Sequence, residues 1–222
     1  MLIIFDLDDT LIDTSGCITP YALRRALAAM IAAGLRVPSF PQALESLFRI
    51  NAASLTGVEA LAEFVELHDG DSALLSIGKR EWYGELPTDL AISSLEGAKD
   101  LLRELSSSHT LALVTGGKNA LQREKMKKAG IDTVFFSKIV ASEDGNKKIH
   151  YQEVKKDFGY SAKEILVCGD RVAIDLTPAK ELGFRTVHIR WGRGLVMQHA
   201  KSSDVDFQIN TLKQLKDIIK SL

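Results

Sequence analysis

Leu2-Ile3-Ile4-Phe5-Asp6-Leu7-Asp8-Asp9-Thr10 is the stretch that decides the fold. An apolar run of this length reads as a buried strand, and three carboxylates follow where the strand ends. Asp is a poor strand former, and crowded like charges either raise one another's pKa or call for a cation. Folding gains nothing from such a cluster, so a function explains it better. Two uses fit: a carboxylate nucleophile and a divalent-metal site. D-x-D alone is short, and most of its occurrences are surface turns or helix starts. Its place at a strand's carboxyl end, where α/β sheets bind ligands, gives it weight.

Around that stretch the bulk properties are ordinary. The chain has 222 residues, room for one large domain or two smaller ones, with 45% apolar and 26% charged residues. A net charge of −1 gives no electrostatic reason to expect nucleic acid or a membrane surface as partner. No apolar run approaches the roughly 20 residues that span a bilayer. The apolar start is broken at Asp6 and has no basic leader, so it does not read as a secretory signal. Cys17 and Cys168 form no CxxC pair and read as reduced thiols of a cytoplasmic protein, Cys168 as a buried, inert one. The five His form no H-x-H or H-x3-H pair, so zinc is not expected.

From about residue 95 the pattern alternates between helix and strand. Helices are expected over 95–105, 120–129, 151–158, 178–182 and 212–219. Strands are expected at 111–114, 165–168 and 186–189, with extended segments at 134–136 and 139–140 and an edge strand at 207–209. Such alternation calls for a parallel sheet covered on both faces. Residues 16–90 differ: helices are expected over 21–33, 41–48, 57–67 and 72–82, and no strand is convincing. The expected fold is therefore α/β, a Rossmann-like three-layer parallel-sheet core with an all-helical insertion after the first strand. The core would span 1–15 and 91–222, and the insertion 16–90. The insertion is placed to act as a lid, with a helical layer packed elsewhere as the plainer alternative.

Three further signals follow the acidic cluster in order. Thr115-Gly116-Gly117 closes one strand ahead of a helix, where a hydroxyl, flexible amides and a helix N-terminus make an anion site. Alone it is no more than a common cap. Lys147 and Lys148 lie in a polar stretch, where lysines are usually solvated. Gly169-Asp170 with Asp175 repeats the acidic logic at another strand's end.

Taken together, the four signals resemble the haloacid dehalogenase superfamily over nearly the whole chain. Asp6-Leu7-Asp8-Asp9-Thr10 matches its first motif and Leu113-Val114-Thr115-Gly116-Gly117 its second. Lys147 or Lys148 matches the third, and Gly169-Asp170 with Asp175 the fourth. The run from Gln122 and Lys125 through Gly130-Ile131 to Val140-Ala141-Ser142 is similar to the segment joining the second and third motifs. The third motif is the loosest: many relatives follow the Lys with Pro, and here Ile149-His150-Tyr151 follows Lys148. The spacing to Tyr151 leans to Lys147, with Lys118 a more distant candidate.

The resemblance implies a Mg²⁺-dependent phosphatase of a small phosphomonoester. Asp6 would be the nucleophile forming an aspartyl-phosphate, and Asp8 the general acid and then base. Asp6, the backbone carbonyl of Asp8, and Asp170 would hold Mg²⁺, with Asp175 orienting the site from behind. Thr115 and Gly116 would bind phosphate oxygens, and the Lys would balance charge in transfer. The insertion corresponds to a C1-type cap that excludes water and selects substrate. Tyr21, Arg24, Arg25, Arg49, Asn51, Lys79, Arg80 and Trp82 are its polar and aromatic candidates, none singled out. A dehalogenase is disfavoured, because such enzymes need no acid/base at the position of Asp8. A phosphomutase shares the constellation, and a non-catalytic ligand-binding or regulatory protein of the same fold is the alternative from another class. Oligomeric state is left as monomer or homodimer.

Overall fold

A computed structural model of the chain describes residues 1–196 and 202–222. β1 (Leu2–Phe5) leads through a tight turn to four helices, α1 (Thr14–Ala32), α2 (Phe40–Ala53), α3 (Gly57–Leu67) and α4 (Ser72–Trp82). The alternating part follows: α5 (Ala98–Ser106), β2 (Thr110–Gly116), α6 (Asn119–Ala129), β3 (Lys138–Ser142), α7 (Lys147–Phe158) and β4 (Ile165–Gly169). It continues with α8 (Thr177–Glu181), β5 (Arg185–Ile189), β6 (Phe207–Ile209) and α9 (Leu215–Lys220). The chain divides into two compact units, Met1–Thr14 with Ala91–Leu222, and Ser15–Leu90. No helix among the described residues is long and apolar enough to cross a membrane.

The first unit is built on a six-stranded sheet of order β3-β2-β1-β4-β5-β6, parallel throughout. Leu2 and Ile4 of β1 join Tyr151 and Val154 of α7 and Ala179 of α8 in one core cluster. Ile3 and Phe5 point the other way and are equally inaccessible, as period-2 alternation requires of a strand buried on both faces. The sequence order reverses between β1 and β4. In doubly wound sheets the crevice at that switch point, beyond the carboxyl ends, is where ligands bind.

The second unit is all-helical, with its own core of Leu23, Leu27, Met30, Leu47, Leu61 and Phe64 among others. Ser39, Thr56 and Asp71 cap α2, α3 and α4 through their side chains, so each helix start is written locally. Arg25 is spent inside this unit, on Tyr21, the Glu81 carboxylate and the Glu85 carbonyl. Arg24 lies over the Phe40 ring, 5.8 Å from its centroid.

Several elements differ from the sequence expectation. Helix α1 begins at Thr14 rather than Tyr21, and Pro20 lies inside it. Val134 and Phe135 are not extended: Thr133–Phe135 form a 3-10 turn, capped by Asp132 through the Val134 N–H at 3.0 Å, and only Phe136 after it is extended. Helix α7 starts at Lys147, four residues early. The chain between β4 and α8 is a π-helical turn, Val172–Leu176.

Candidate active site

The turn after β1 places the first carboxylates. The Asp6 N–H donates to the Cys168 carbonyl at 3.0 Å, carrying the β1–β4 ladder one residue past the strand. The carbonyl of Leu7 then accepts from the N–H groups of Leu11 (2.9 Å) and Ile12 (3.1 Å), folding the chain back on itself. Asp9 takes up the reversal with φ 56°, a conformation that Asp tolerates better than most L residues.

Asp170 follows β4 and therefore lies beside Asp6 across the switch point. Asp175 is brought in by the π-helical turn, with its side chain against the backbone of Gly169. A Cβ at Gly169 would stand 2.6 Å from the Asp175 Cβ, so only glycine permits the approach. The Asp175 carboxylate also accepts from the Arg171 N–H at 2.9 Å, and its backbone carbonyl from the Tyr151 hydroxyl at 3.1 Å. One oxygen each of Asp6, Asp170 and Asp175 lies within 4.8 Å of the others, and all three residues are buried.

Lys147 enters this cluster and Lys148 does not. Both start α7, but successive residues on a helix point about 100° apart. The Lys147 ammonium donates to Asp6 Oδ1 at 2.5 Å and Asp175 Oδ1 at 2.6 Å, with its side chain 1% exposed. Lys148 points outward to Glu181 at 2.7 Å and is 44% exposed. Lys118 is exposed ahead of α6.

The charges are unbalanced. Burial pushes the Asp6 carboxyl up to about 6, with Lys147 pulling it back and Asp175 adding repulsion. Burial also drives Asp170 well above the usual carboxylate range, and Asp175, Asp9 and Asp6 reinforce it against Arg171. For Asp175 burial acts upward too, but Lys147 and Arg171 outweigh it and its pKa falls. Asp6 Oδ2 and Asp170 Oδ1 are buried oxygens with no hydrogen-bond partner. Hard, buried carboxylate oxygens without hydrogen-bond partners, on residues whose oxygens lie within 4.8 Å of one another, are a donor set that fits a divalent cation such as Mg²⁺.

Thr115 is the penultimate residue of β2, fully buried, and its hydroxyl also lacks a partner. Gly117 has φ +111°, which L side chains rarely adopt, and its N–H donates to the Ser142 carbonyl at 3.0 Å.

Asp8 lies apart from the three clustered carboxylates. Its carboxylate takes both oxygens' worth of contact from Lys125 at 2.9 Å, from Thr14 at 2.5 Å and from Gln122 at 3.3 Å. Burial alone would raise its pKa; Lys125 and Thr14 reverse the sign and lower it. Sequence reasoning gave these contacts no role. Their signals were the place of Gln122 and Lys125 at the head of the run similar to the family's joining segment, and their i, i+3 spacing on one face of a Lys-rich helix. It also missed Arg171, 3.9 Å from Asp170, and His188, whose ring nitrogen meets the Asp170 carbonyl at 2.9 Å.

The chain matches the family model of haloacid dehalogenase-like hydrolases over residues 1–183. It is 32% identical to a glyceraldehyde 3-phosphate phosphatase of Methanocaldococcus jannaschii, covering 99% of this chain and 97% of that one. A protein of the same name from Pyrococcus abyssi is 28% identical over 99% and 94% of the two chains. Among solved structures, an HAD phosphatase from Thermococcus onnurineus superposes with TM-score 0.64 at 20% identity, covering 98% and 97%. A haloacid dehalogenase-like family protein from Streptococcus pneumoniae does so with TM-score 0.68 at 19% identity, again over 98% and 97%. At such identities the superpositions speak for the fold alone. The match of sequence along nearly the whole chain says more: this protein belongs to the haloacid dehalogenase-like hydrolases.

Proposed function

We propose that the protein is a phosphatase that hydrolyses a small phosphomonoester through a covalent intermediate on Asp6. The observation that carries this reading is the pair of buried, unpartnered oxygens, Asp6 Oδ2 and Asp170 Oδ1, at the sheet's switch point beside the Lys147 ammonium.

In this reading a carboxylate oxygen of Asp6 attacks phosphorus, and the bond from phosphorus to the ester oxygen breaks. Asp8, a carboxylate in the substrate-free protein, takes up a proton from solvent as the phosphate dianion binds beside it and gives that proton to the departing alkoxide, so the alcohol leaves neutral. Asp8, now a carboxylate, takes a proton from the water whose oxygen attacks the aspartyl-phosphate, which returns Asp6 and releases phosphate. The Thr115 hydroxyl and the Gly116 N–H bind non-bridging oxygens, and the Lys147 ammonium balances charge on the transferring group. Asp175 holds Lys147 in place and is not itself a reacting group. Asp6, Asp170 and the Asp8 backbone carbonyl would hold Mg²⁺, which supplies charge neutralisation between the nucleophile and the incoming dianion. The helical unit Ser15–Leu90 serves as the cap, and the protein acts in the cytoplasm.

The relatives' name makes glyceraldehyde 3-phosphate the first substrate to test. Phosphate release is measured across a panel of metabolite phosphates, with Mg²⁺ and with EDTA. The expected outcome is Mg²⁺-dependent release from a short-chain phosphate, reduced by roughly three orders of magnitude or more in Asp6→Asn. Undiminished release by Asp6→Asn would end the proposal.

A further inference from the structure

The contacts of Asp8 carry one step more, resting on its reading as the acid/base. Three side chains hold its carboxylate. Lys125 Nζ donates to both oxygens at 2.9 Å, Thr14 Oγ1 to Oδ1 at 2.5 Å, and Gln122 Nε2 to Oδ2 at 3.3 Å. Gln122 and Lys125 stand three residues apart on α6, on one face, and both are buried. The same Gln122 amide also donates to the carbonyl of Gly116. That carbonyl belongs to the peptide whose N–H, on Gly117, is fixed by the Ser142 carbonyl. One face of α6 therefore grips the acid/base carboxylate and the loop after β2 together.

Folding alone does not call for this arrangement. Met126 and Ala129 already bury the helix, and an apolar residue at position 125 would avoid taking an ammonium out of water. A symmetric two-oxygen contact from a charged donor fixes the plane of a carboxylate in a way that one hydroxyl cannot. We propose that Lys125, with Gln122 as its partner, is a positioning residue. It sets the carboxylate of Asp8 at a fixed place relative to the phosphate loop, so that one group reaches first the leaving oxygen and then the attacking water. Lys125 touches neither Asp6 nor Asp170, so phosphate and metal binding do not depend on it.

The test is a double-mutant cycle with Lys125→Met, Asp8→Asn and the combination, read by kcat and KM on a short-chain phosphate. Lys125→Met is expected to lower kcat by about 10- to 100-fold with KM little changed. Its loss is greater for an alkyl phosphate than for the phosphate of an acidic phenol, which needs less help to leave. The combined variant is no slower than Asp8→Asn alone, Lys125→Arg recovers part of the loss, and the Mg²⁺-induced rise in unfolding temperature is unchanged. If the methionine variant does not fold, Lys125→Arg takes its place in the cycle. Losses that multiply in the combined variant, or a raised KM at constant kcat, would overturn the positioning role while leaving the acid/base reading intact. Full activity in Asp8→Asn would overturn the acid/base reading, and the positioning role with it.

Discussion

Asp170→Asn isolates the charge imbalance at the switch point. Its carboxylate faces Asp6 and Asp175 within 4.8 Å and has one guanidinium, that of Arg171, at 3.9 Å. With an effective dielectric constant of about 20, two such carboxylates repel it by roughly 7 kcal/mol and the guanidinium returns roughly 4. The Lys147 ammonium, bonded to Asp6 and Asp175, offsets part of the remainder. A net cost of about 2 kcal/mol is left in the metal-free protein, with the burial penalty acting in the same direction. Asparagine keeps the shape and removes the charge. The metal-free variant should therefore unfold at a temperature higher by about 4–8 °C, a stabilisation by loss of function. Magnesium separates the two proteins. At 100 times its dissociation constant it stabilises the natural protein by about 2.7 kcal/mol, and it should leave the variant unmoved. Thermal unfolding followed by circular dichroism, in EDTA and in Mg²⁺, measures both. A variant that is less stable in EDTA and still gains from Mg²⁺ would refute the assignment of Asp170 to a cation site.

Lys147→Met leaves two buried carboxylates without their shared ammonium and should cost about 3–5 kcal/mol in urea denaturation, together with turnover. Lys148→Met, altering only a surface pair, should change stability by less than about 0.5 kcal/mol; a matching loss in both would undo the separation drawn between them. Asp206 accepts from the Thr186 N–H at 3.0 Å and from Lys180, contacts that outweigh its burial and lower its pKa. A depressed carboxylate stabilises the fold above its unfolded pKa and loses that contribution as pH falls through the folded one. Asp206→Asn should thus cost roughly 1 kcal/mol at pH 7, reduced by its partial exposure, and the gap should narrow as pH falls below the unfolded carboxylate range. A gap that widens toward acid would reverse the sign of this argument.

Much of this was legible because the fold writes its function at strand ends. The apolar runs that became β1, β2 and β4 lead at their ends to Asp6, Thr115 and Asp170, so finding the strands pointed to where the candidate site would lie. What escaped is physical in each case. Residues 134–136 are apolar, and apolarity does not distinguish a strand from a turn that Asp132 caps through a side chain. Gly16, Cys17 and Pro20 hide the helical period in the first turns of α1. Lys147 and Lys148 are equivalent as letters, and only the start of α7 at Lys147 sends one inward and the other to solvent. Lys125 is noticeable in the sequence only as part of a run resembling the family's joining segment, with no partner assigned. Its partner lies 117 residues away, a pairing that no local pattern encodes.

The central claim is that Asp6 carries the phosphoryl group. The most direct measurement is mass spectrometry of the peptide containing Asp6 after rapid acid quench of enzyme mixed with substrate and Mg²⁺. The account predicts the added mass of one phosphoryl group on Asp6, more of it in Asp8→Asn, where water attack is slowed, and none in Asp6→Asn. A phosphoryl group found on another residue, or turnover with none on the protein at any quench time, would contradict it.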